Sequence, residues 1–316
     1  MKRLLAFCIL PLLCCNPSFA VDSIPQSRER YGFYHHNLCG NIKSIKQSTI
    51  KYYININSQE CSLESIHPVE YIFNEQGNVA KSIVHWVDTT MREILGLGPK
   101  DVSVSEYKYN KHGDIIKETN EYTYDGYIKY KYNKDNQVVR ESGNLMCKYV
   151  TIYEYDVCGN IIAEHLYYKG ENDGKTTYEY DDSGNIIVER HYDSNGVLGS
   201  KYTISYNSHG DLIQRLHYNN AGKLEEDINY SYEYDNQGNI TEKSYYHCDI
   251  LVDSETFHYD NFGRIIKKCV YNNKGMLSES ISYNYDWCNN IVMKTTIVHG
   301  RKVNHIESTF YEIEYM

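Results

Sequence analysis

A recurring tyrosine-rich turn signature constrains this chain more than any other feature, and its clearest copy runs from Tyr178 to Tyr192. Tyr178 and Tyr180 are two residues apart, so they share one face of a β-strand, a structure that tyrosine favours. The following Asp181-Asp-Ser-Gly184 has the residues of a type I β-turn, with aspartate at the first corner and glycine at the last. A residue in the left-handed region then completes a common hairpin loop. The unit therefore predicts a strand, a tight turn and a second strand.

The other copies test this interpretation because they vary the residue at the end of the turn. That residue is glycine in most copies and asparagine in two, and asparagine tolerates a positive φ better than other non-glycine residues. The turn residues of the regular copies are Gly113, Asn136, Gly159, Gly184, Gly210, Gly238, Gly263 and Asn289. Looser copies carry Gly40 and Gly77. The substitution pattern indicates a requirement of the backbone at this position.

The strand that returns from each turn carries apolar residues at even spacing. Ile186 and Tyr192 lie two and eight residues after the turn glycine, which places both on one face of a regular strand. His191 and His217 occupy one repeat position opposite that face, and we interpret them as solvated surface residues. A second turn signature follows in the best copies, as at 192–196. Each repeat therefore consists of two strands with a turn at each edge.

These repeats predict an all-β fold in which tandem β-hairpin repeats form one curved antiparallel sheet or an open spiral. About ten two-stranded units would each contact mainly their neighbours, so stability accumulates along the array. The expected organisation is a signal peptide at 1–20, divergent N-terminal repeats or a cap at 21–100, and a regular array with a closing C-terminal hairpin at 101–316. Within the second segment, Asp88–Leu95 has the features of a short helix.

The array resembles the YD repeats of the RHS family. The signature Y-x-Y-D-x-x-G-N-I-I stands unaltered at 153–162 and 178–187. Looser copies occur at 107–116, 130–139, 204–213, 232–241, 257–266 and 283–292. The resemblance implies an antiparallel sheet of hairpins in a secreted or surface protein, and longer members enclose toxins or are implicated in adhesion or glycan contact. This chain has no proline after Pro99, so the proline-containing segment that precedes the toxin in those members is absent and no toxin domain is expected.

Residues 1–20 have the pattern of a secretory signal peptide, with Lys2 and Arg3, an apolar stretch and a small-residue end. The apolar stretch is shorter than the ~20 residues of a spanning helix, so we favour export to the periplasm, cell surface or medium over an N-terminal anchor. A net charge of −10 without a basic cluster argues against nucleic-acid binding. Charged residues such as Glu242 and Lys267 on strand faces argue against an outer-membrane barrel, so no stable membrane insertion is expected.

The chemistry-bearing residues form no recognisable catalytic or cofactor motif, so we expect no enzyme activity and no cofactor. Ser48 and Lys51 have the spacing of a serine–lysine pair but lack the companion motifs. The aspartate-rich turns lack the bidentate glutamate of a calcium loop, and no C-x-x-C occurs, so no metal site is expected. An exported chain could form up to three disulfides and leave one free thiol. The cysteines that could form them are Cys39, Cys61, Cys147, Cys158, Cys248, Cys269 and Cys288.

The 34 tyrosines can serve either as the core or as a binding surface. A thin repeating sheet needs large side chains to bury area, so we interpret most of them as core, although aromatic rows also stack on sugar rings and pack against proteins. The leading hypothesis is an exported, non-enzymatic module that presents a surface to a protein or a carbohydrate. The alternative is a remnant or accessory of an RHS-type polymorphic toxin system.

Overall fold

The structure, a computed structural model, describes residues 42–55, 61–85, 102–120, 126–144, 147–300 and 303–315. Regular structure in these ranges consists of twenty β-strands. They are β1 (Ile42–Asn55), β2 (Cys61–Phe73), β3 (Val79–His85), β4 (Val102–Tyr109), β5 (Ile115–Asn120), β6 (Gly126–Tyr132), β7 (Val138–Asn144), β8 (Lys148–Tyr155), β9 (Ile161–Tyr168), β10 (Glu171–Tyr180), β11 (Ile186–Tyr192), β12 (Leu198–Tyr206), β13 (Leu212–Asn219), β14 (Leu224–Tyr234), β15 (Ile240–His247), β16 (Ile250–Tyr259), β17 (Ile265–Asn272), β18 (Leu277–Tyr285), β19 (Ile291–Val298) and β20 (Val303–Tyr315).

Two predicted segments lie outside the described residues, namely the signal peptide at 1–20 and the helix at Asp88–Leu95. The described part of the chain contains no helix long and apolar enough to cross a membrane. The segments 21–100 and 101–316 contribute to one sheet, because β3 pairs with β4 from Lys81↔Glu106 to His85↔Val102.

The strands form one antiparallel sheet in which each strand pairs with the next along the chain, which confirms the hairpin-repeat prediction. The prediction of an open sheet is wrong. β1 also pairs with β20 along its whole length, from Ile42↔Tyr315 to Asn55↔Val303, so the sheet closes into a barrel of twenty strands. With strands about 4.8 Å apart, the perimeter is roughly 95 Å. Closure removes both free edges, and a free edge is a template for pairing with another chain.

The seam between β1 and β20 has the geometry of one more repeat. In the hairpin of β10 and β11, Tyr180 pairs with Ile186 and the register shifts by one residue next to that pair. At the seam, Tyr315 pairs with Ile42 and the register shifts at the corresponding place. β20 therefore supplies the outgoing strand of a repeat and β1 supplies the returning strand. The barrel closes through the same local geometry that builds each hairpin.

The residue types of the tight turns are explained by the hydrogen bonds that they form, as in the turn between β10 and β11. The N–H of Gly184 donates to the carbonyl of Asp181 (3.0 Å), and the N–H of Asp181 donates to the carbonyl of Asn185 (2.9 Å). One carboxylate oxygen of Asp181 accepts the N–H groups of Ser183 (2.9 Å) and Asn185 (2.8 Å), and the other accepts the Asn185 amide (3.0 Å). These bonds, first among them the amide bond, lower the pKa of Asp181.

The eight regular turn residues share the left-handed backbone conformation. Their φ angles lie between 62° and 93°. The residues are Gly113, Asn136, Gly159, Gly184, Gly210, Gly238, Gly263 and Asn289. An added side chain on Gly184 would meet open space, so the backbone angle alone favours glycine there.

A register shift of one residue follows every tyrosine–aspartate turn in the described chain, and this irregularity was absent from the sequence-based prediction. At the shift in β9, Tyr155 pairs with Ile161 while Glu154 pairs with Ala163, so Ile162 has no partner and forms a β-bulge. The Tyr180 hydroxyl, from the neighbouring strand β10, donates to the carbonyl of Ile161 (2.6 Å). A tyrosine of one repeat thus bonds the bulge of the repeat before it.

This tyrosine-to-bulge hydrogen bond recurs around the barrel. It joins the Tyr155 hydroxyl to the Val138 carbonyl (2.6 Å) and the Tyr259 hydroxyl to the Ile240 carbonyl (2.8 Å). Equivalent bonds run from Tyr132 to Ile115, from Tyr206 to Ile186 and from Tyr285 to Ile265. The second tyrosine of the signature thus contributes its hydroxyl as well as its ring, except on β14, where the first tyrosine, Tyr232, bonds the Leu212 carbonyl.

The bulge also changes which side chains share a face, because a shift of one residue moves every later side chain to the other side. Glu189 pairs directly with Tyr178, and His191 pairs with Thr176. His191 therefore lies on the face of the signature tyrosines, so its predicted place opposite the core face is wrong, although its side chain is 41% exposed, as expected for a solvated residue. The even-spacing argument that grouped Ile186 with Tyr192 fails for the same reason.

The apolar core lies in the sector around the seam. Its buried residues come from β1 to β4 and are packed against half-buried side chains of β20. They are Ile42, Ile45, Tyr71, Phe73, Val79 and Tyr107. The longest strands, β1, β2 and β20, also meet in this sector. Burial and extended pairing together stabilise the closure.

Candidate ligand-binding face

One face of the sheet, here called the tyrosine face, carries the signature tyrosines and their cross-strand partners. It is the more buried face: Tyr178 and Tyr180 are half-buried, whereas Glu179 between them is exposed. A closed sheet shields its concave side, so we assign the tyrosine face to the inside of the barrel. Within the described chain, the extensive contacts between strands run between hydrogen-bonded neighbours.

The opposite, outward face carries cross-strand ion pairs. Glu179 bonds Arg190 (2.5 Å), and Glu154 bonds His165 (2.8 Å). Such exposed pairs contribute little to stability, roughly 0–1 kcal/mol each. They place these four charged side chains on the face opposite the signature tyrosines.

The first group on the tyrosine face, the central patch, is built from β9 to β13. Its members are Glu164, Tyr178, Glu189, His191, Tyr202, Arg215 and His217. Tyr178, Glu189, Tyr202 and His217 occupy directly paired positions on four successive strands, so they form a row across the sheet. Aromatic rings and ionisable groups alternate along that row.

Two carboxylates of the central patch have different environments. Burial raises the pKa of Glu164, and a hydrogen bond with Tyr178 partly offsets that effect. Burial also raises the pKa of Tyr178, with the charges of Glu164 and Glu189 adding to it. Glu189 behaves in the opposite way, since its contact with His191 (2.7 Å) lowers its pKa. Four ionisable groups of the patch thus form two hydrogen-bonded pairs, Glu164 with Tyr178 and Glu189 with His191.

Tyr202 is the ring of the central patch that three neighbouring side chains contact. His217 stacks on it with ring centroids 4.5 Å apart, the Arg215 guanidinium lies 4.1 Å from its centroid, and His191 meets it edge-on at 5.7 Å. The Thr176 hydroxyl lies 3.1 Å from Nδ1 of His191. A neutral His191 with its proton on Nε2 can therefore donate to Glu189 and accept from the threonine.

The second group, the pocket, lies on β14, β15 and β16. A cavity of about 140 Å³ is lined there by Tyr230, Lys243, Tyr245, Asp253 and Glu255. Pairing sets these side chains in two rows, Tyr230↔Tyr245↔Asp253 and Tyr232↔Lys243↔Glu255. The pocket therefore combines two aromatic rings with one ammonium group and two carboxylates.

The residues singled out from the sequence lie elsewhere. The predicted turn residues sit at the edge of the barrel, where they shape the backbone and do not line the tyrosine face. No group of His, Cys, Asp or Glu suited to holding a metal ion occurs within the described ranges. Ser48 and Lys51, the rejected serine–lysine pair, lie on β1 in the seam.

The cysteines are placed too differently for one shared role. Five have described side chains, and none of the five forms a disulfide with another described cysteine. The five are Cys147, Cys158, Cys248, Cys269 and Cys288. Cys39 lies outside the described residues, and Cys61 begins β2 without a described side chain. Disulfide formation stays a prediction.

The sequence did contain a signal for the missed residues. Each turn is followed by an apolar pair such as Ile161-Ile162, and one member of that pair is the bulged residue. Strands counted as regular put Glu189 and His191 on the wrong face. Strands counted with one extra residue after the turn place both beside Tyr178 and Tyr202.

The described residues thus define an all-antiparallel, closed barrel of hairpin repeats with an aromatic and charged inner face. No protein-family model matches the chain, and no curated protein matches it.

Solved structures give distant likenesses. One is a crystal structure of TcdB2-TccC3 without its hypervariable C-terminal region, with a TM-score of 0.36 and 14% identity over 81% of this chain. The chain spans 14% of that structure and 17% of a related one, TcdB2-TccC3-TEV. Another is a porin-like protein from Bacteroides uniformis ATCC 8492, with a TM-score of 0.38 and 13% identity over 88% of this chain and 99% of that one. Likenesses of this size carry no functional argument, so membership of the YD-repeat family stays a prediction from the sequence motifs.

Proposed function

We propose that this protein is an exported, non-enzymatic binding module whose tyrosine face holds a glycan. The observation that carries the proposal is the row Tyr178–Glu189–Tyr202–His217, in which rings alternate with hydrogen-bonding groups on the half-buried tyrosine face. Sugars present apolar ring faces and hydroxyl edges, which such an alternation complements. Export is supported by the signal-peptide pattern of residues 1–20.

A non-enzymatic role is supported by the bonds among the charged groups. Glu189 is engaged by His191, Glu164 by Tyr178 and Glu255 by Lys268. Nucleic acid is not proposed as a partner, since the sequence carries a net charge of −10. Membrane insertion is not proposed either, because the outward face carries ion pairs such as Glu179–Arg190.

The test is a glycan array probed with the full chain, followed by affinity measurements on the best glycan. Tyr202→Leu removes the ring that His217 and Arg215 contact, and we expect it to weaken binding about tenfold, the equivalent of about 1.4 kcal/mol. Tyr246→Leu is the matched control. Tyr246 lies three residues after Lys243 on β15, so it faces the outward side of the sheet, away from the tyrosine face.

Three results would overturn the proposal. They are the absence of any bound glycan, an equal loss of affinity in the Tyr246→Leu control, and hydrolysis of the bound oligosaccharide. Capture of a protein by the same face would instead support the protein-binding form of the hypothesis and count against the glycan.

A further inference from the structure

The pocket on β14 to β16 contains two opposite charges that are not paired with each other. The ammonium group of Lys243 lies 4.7 Å from the Tyr230 ring centroid and 5.9 Å from that of Tyr232, and no ion pair joins it to a described carboxylate. Asp253 likewise forms no direct ion pair or hydrogen bond with another described side chain, and the charges of Lys268 and Lys243 act on it only from a distance. The remaining carboxylate, Glu255, is bound by Lys268 at 2.6 Å.

Strand pairing explains why these two charges stay apart. Lys243 stands opposite Glu255, and Tyr245 stands opposite Asp253, so Lys243 and Asp253 are diagonal neighbours on adjacent strands. Diagonal Cα atoms are about 7–8 Å apart. Lys243 also leans toward β14, where the two tyrosine rings attract its ammonium group. The cavity lies between the separated charges.

The charge pattern selects the chemistry of an occupant. The two lysines and two carboxylates of this region sum to zero, so neither a simple anion nor a simple cation is attracted overall. The charges are nevertheless separated, and each of the two unpaired groups lines the cavity. A neutral sugar could hydrogen-bond to both but would give neither group a counter-charge in direct contact. A dipolar molecule with one ammonium and one carboxylate group compensates both at once.

We propose that this pocket binds a small zwitterion of the amino-acid type, with its carboxylate on Lys243 and its ammonium group on Asp253. The Tyr245 ring, whose centroid lies 5.5 Å from that of Tyr230, offers a second contact for the ammonium group or for an apolar side chain. A cavity of about 140 Å³ suits a molecule of this size. The site is distinct from the central patch, so it does not depend on the proposed glycan function.

The experiment is equilibrium dialysis of the full chain at neutral pH against each common L-amino acid, L-leucine included. The best-bound amino acid is then compared with the amine that lacks its carboxylate and the acid that lacks its ammonium group; for L-leucine these are isoamylamine and isocaproate. Each analogue loses one charge-assisted contact, so we expect each to bind at least about tenfold more weakly.

Variants locate the site. Lys243→Met and Asp253→Asn should each weaken amino-acid binding at least about tenfold. Glu242→Gln and Lys267→Met remove charges of the same kinds from neighbouring strand positions on the outward face, and they should leave binding unchanged. The proposal is overturned if no amino acid binds, if the amine or the acid binds as tightly as the parent, or if the outward-face variants weaken binding equally. Loss of glycan binding in Tyr202→Leu with intact amino-acid binding would separate the two sites.

Discussion

The tyrosine-to-bulge hydrogen bonds give the most direct test of how the repeats hold together. Tyr155, Tyr180 and Tyr259 each donate to a carbonyl of the preceding repeat, at 2.6, 2.6 and 2.8 Å. Replacing each with phenylalanine removes the hydroxyl and keeps the ring. The change therefore isolates the hydrogen bond from the packing of the aromatic side chain.

The expected magnitude follows from the number of bonds removed. A neutral hydrogen bond contributes about 1 kcal/mol net, within a range of roughly 0.5–1.5 kcal/mol. The three hydroxyls bond three different carbonyl groups in separate repeats, so their effects should add to a first approximation. We expect the triple variant to lose about 3 kcal/mol of the free energy of unfolding, a large share of the roughly 5–15 kcal/mol typical of a folded protein.

The assay is urea unfolding followed by circular dichroism, with the midpoint and slope compared between variants. The matched control is Tyr192→Phe with Tyr271→Phe. Each of these tyrosines lies near the end of its strand that is farthest from the bulge, and neither hydroxyl bonds a described residue. We expect the control to change stability by less than about 0.5 kcal/mol. A triple variant as stable as the unmodified protein, or a control that loses as much, would show that the hydroxyls do not join the repeats.

Three further predictions concern closure, turns and pH. Ser48→Cys with Phe310→Cys should form a disulfide across the seam, because these residues are directly paired; peptide mapping that finds only free thiols would contradict closure. Gly184→Ala should lower the free energy of unfolding by about 1–2 kcal/mol because of its positive backbone angle alone. Gly174→Ala should lower it further, because the new carbon atom would lie 2.5 Å from the backbone oxygen of Tyr192. Equal melting temperatures for the two variants would count against this explanation. Burial raises the pKa of Tyr180 from 10.0 to about 12, so the folded state holds this proton more tightly and its stability should fall as pH rises from 10 toward 12. Urea titrations across that range should show the fall, and Tyr180→Phe should reduce it.

The turns could be predicted from the sequence because their physics is local. Asp181, Gly184 and Asn185 lie within five residues, and their side chains and φ angles determine the hairpin without help from the rest of the chain. The same holds for Asn136, whose φ of 62° matches its place as a substitute for glycine.

Closure could not be predicted in this way. Closure depends on the pairing of Tyr315 with Ile42, which lie at opposite ends of the described chain. No turn connects these two residues, so no local sequence pattern predicts their pairing. The length of the array gives no reason to prefer a ring over a spiral, since both satisfy every local hairpin. Only the half-repeats on β1 and β20 distinguish a ring from a spiral. Each half, taken alone, looks like an incomplete copy of the repeat.

The ligand-facing residues were missed for a third reason. A bulge moves every later residue of the strand to the other face of the sheet. Counting the strand without its one bulged residue therefore puts both Glu189 and His191 on the wrong face. The pocket posed a different difficulty, since Lys243 and Asp253 come from separate strands and become neighbours only through pairing. Neither residue belongs to the repeated signature.

The seam has a consequence for how such a protein could change in size. β20 and β1 together complete one repeat. If whole hairpins were inserted into the chain or deleted from it, β20 and β1 would still pair in the same way and close the ring. Duplication of one hairpin would widen the ring by two strands, roughly 10 Å of perimeter, without requiring a new closing contact. The interior diameter is thus adjustable in steps by gene duplication, while the chemistry that seals the ring stays fixed.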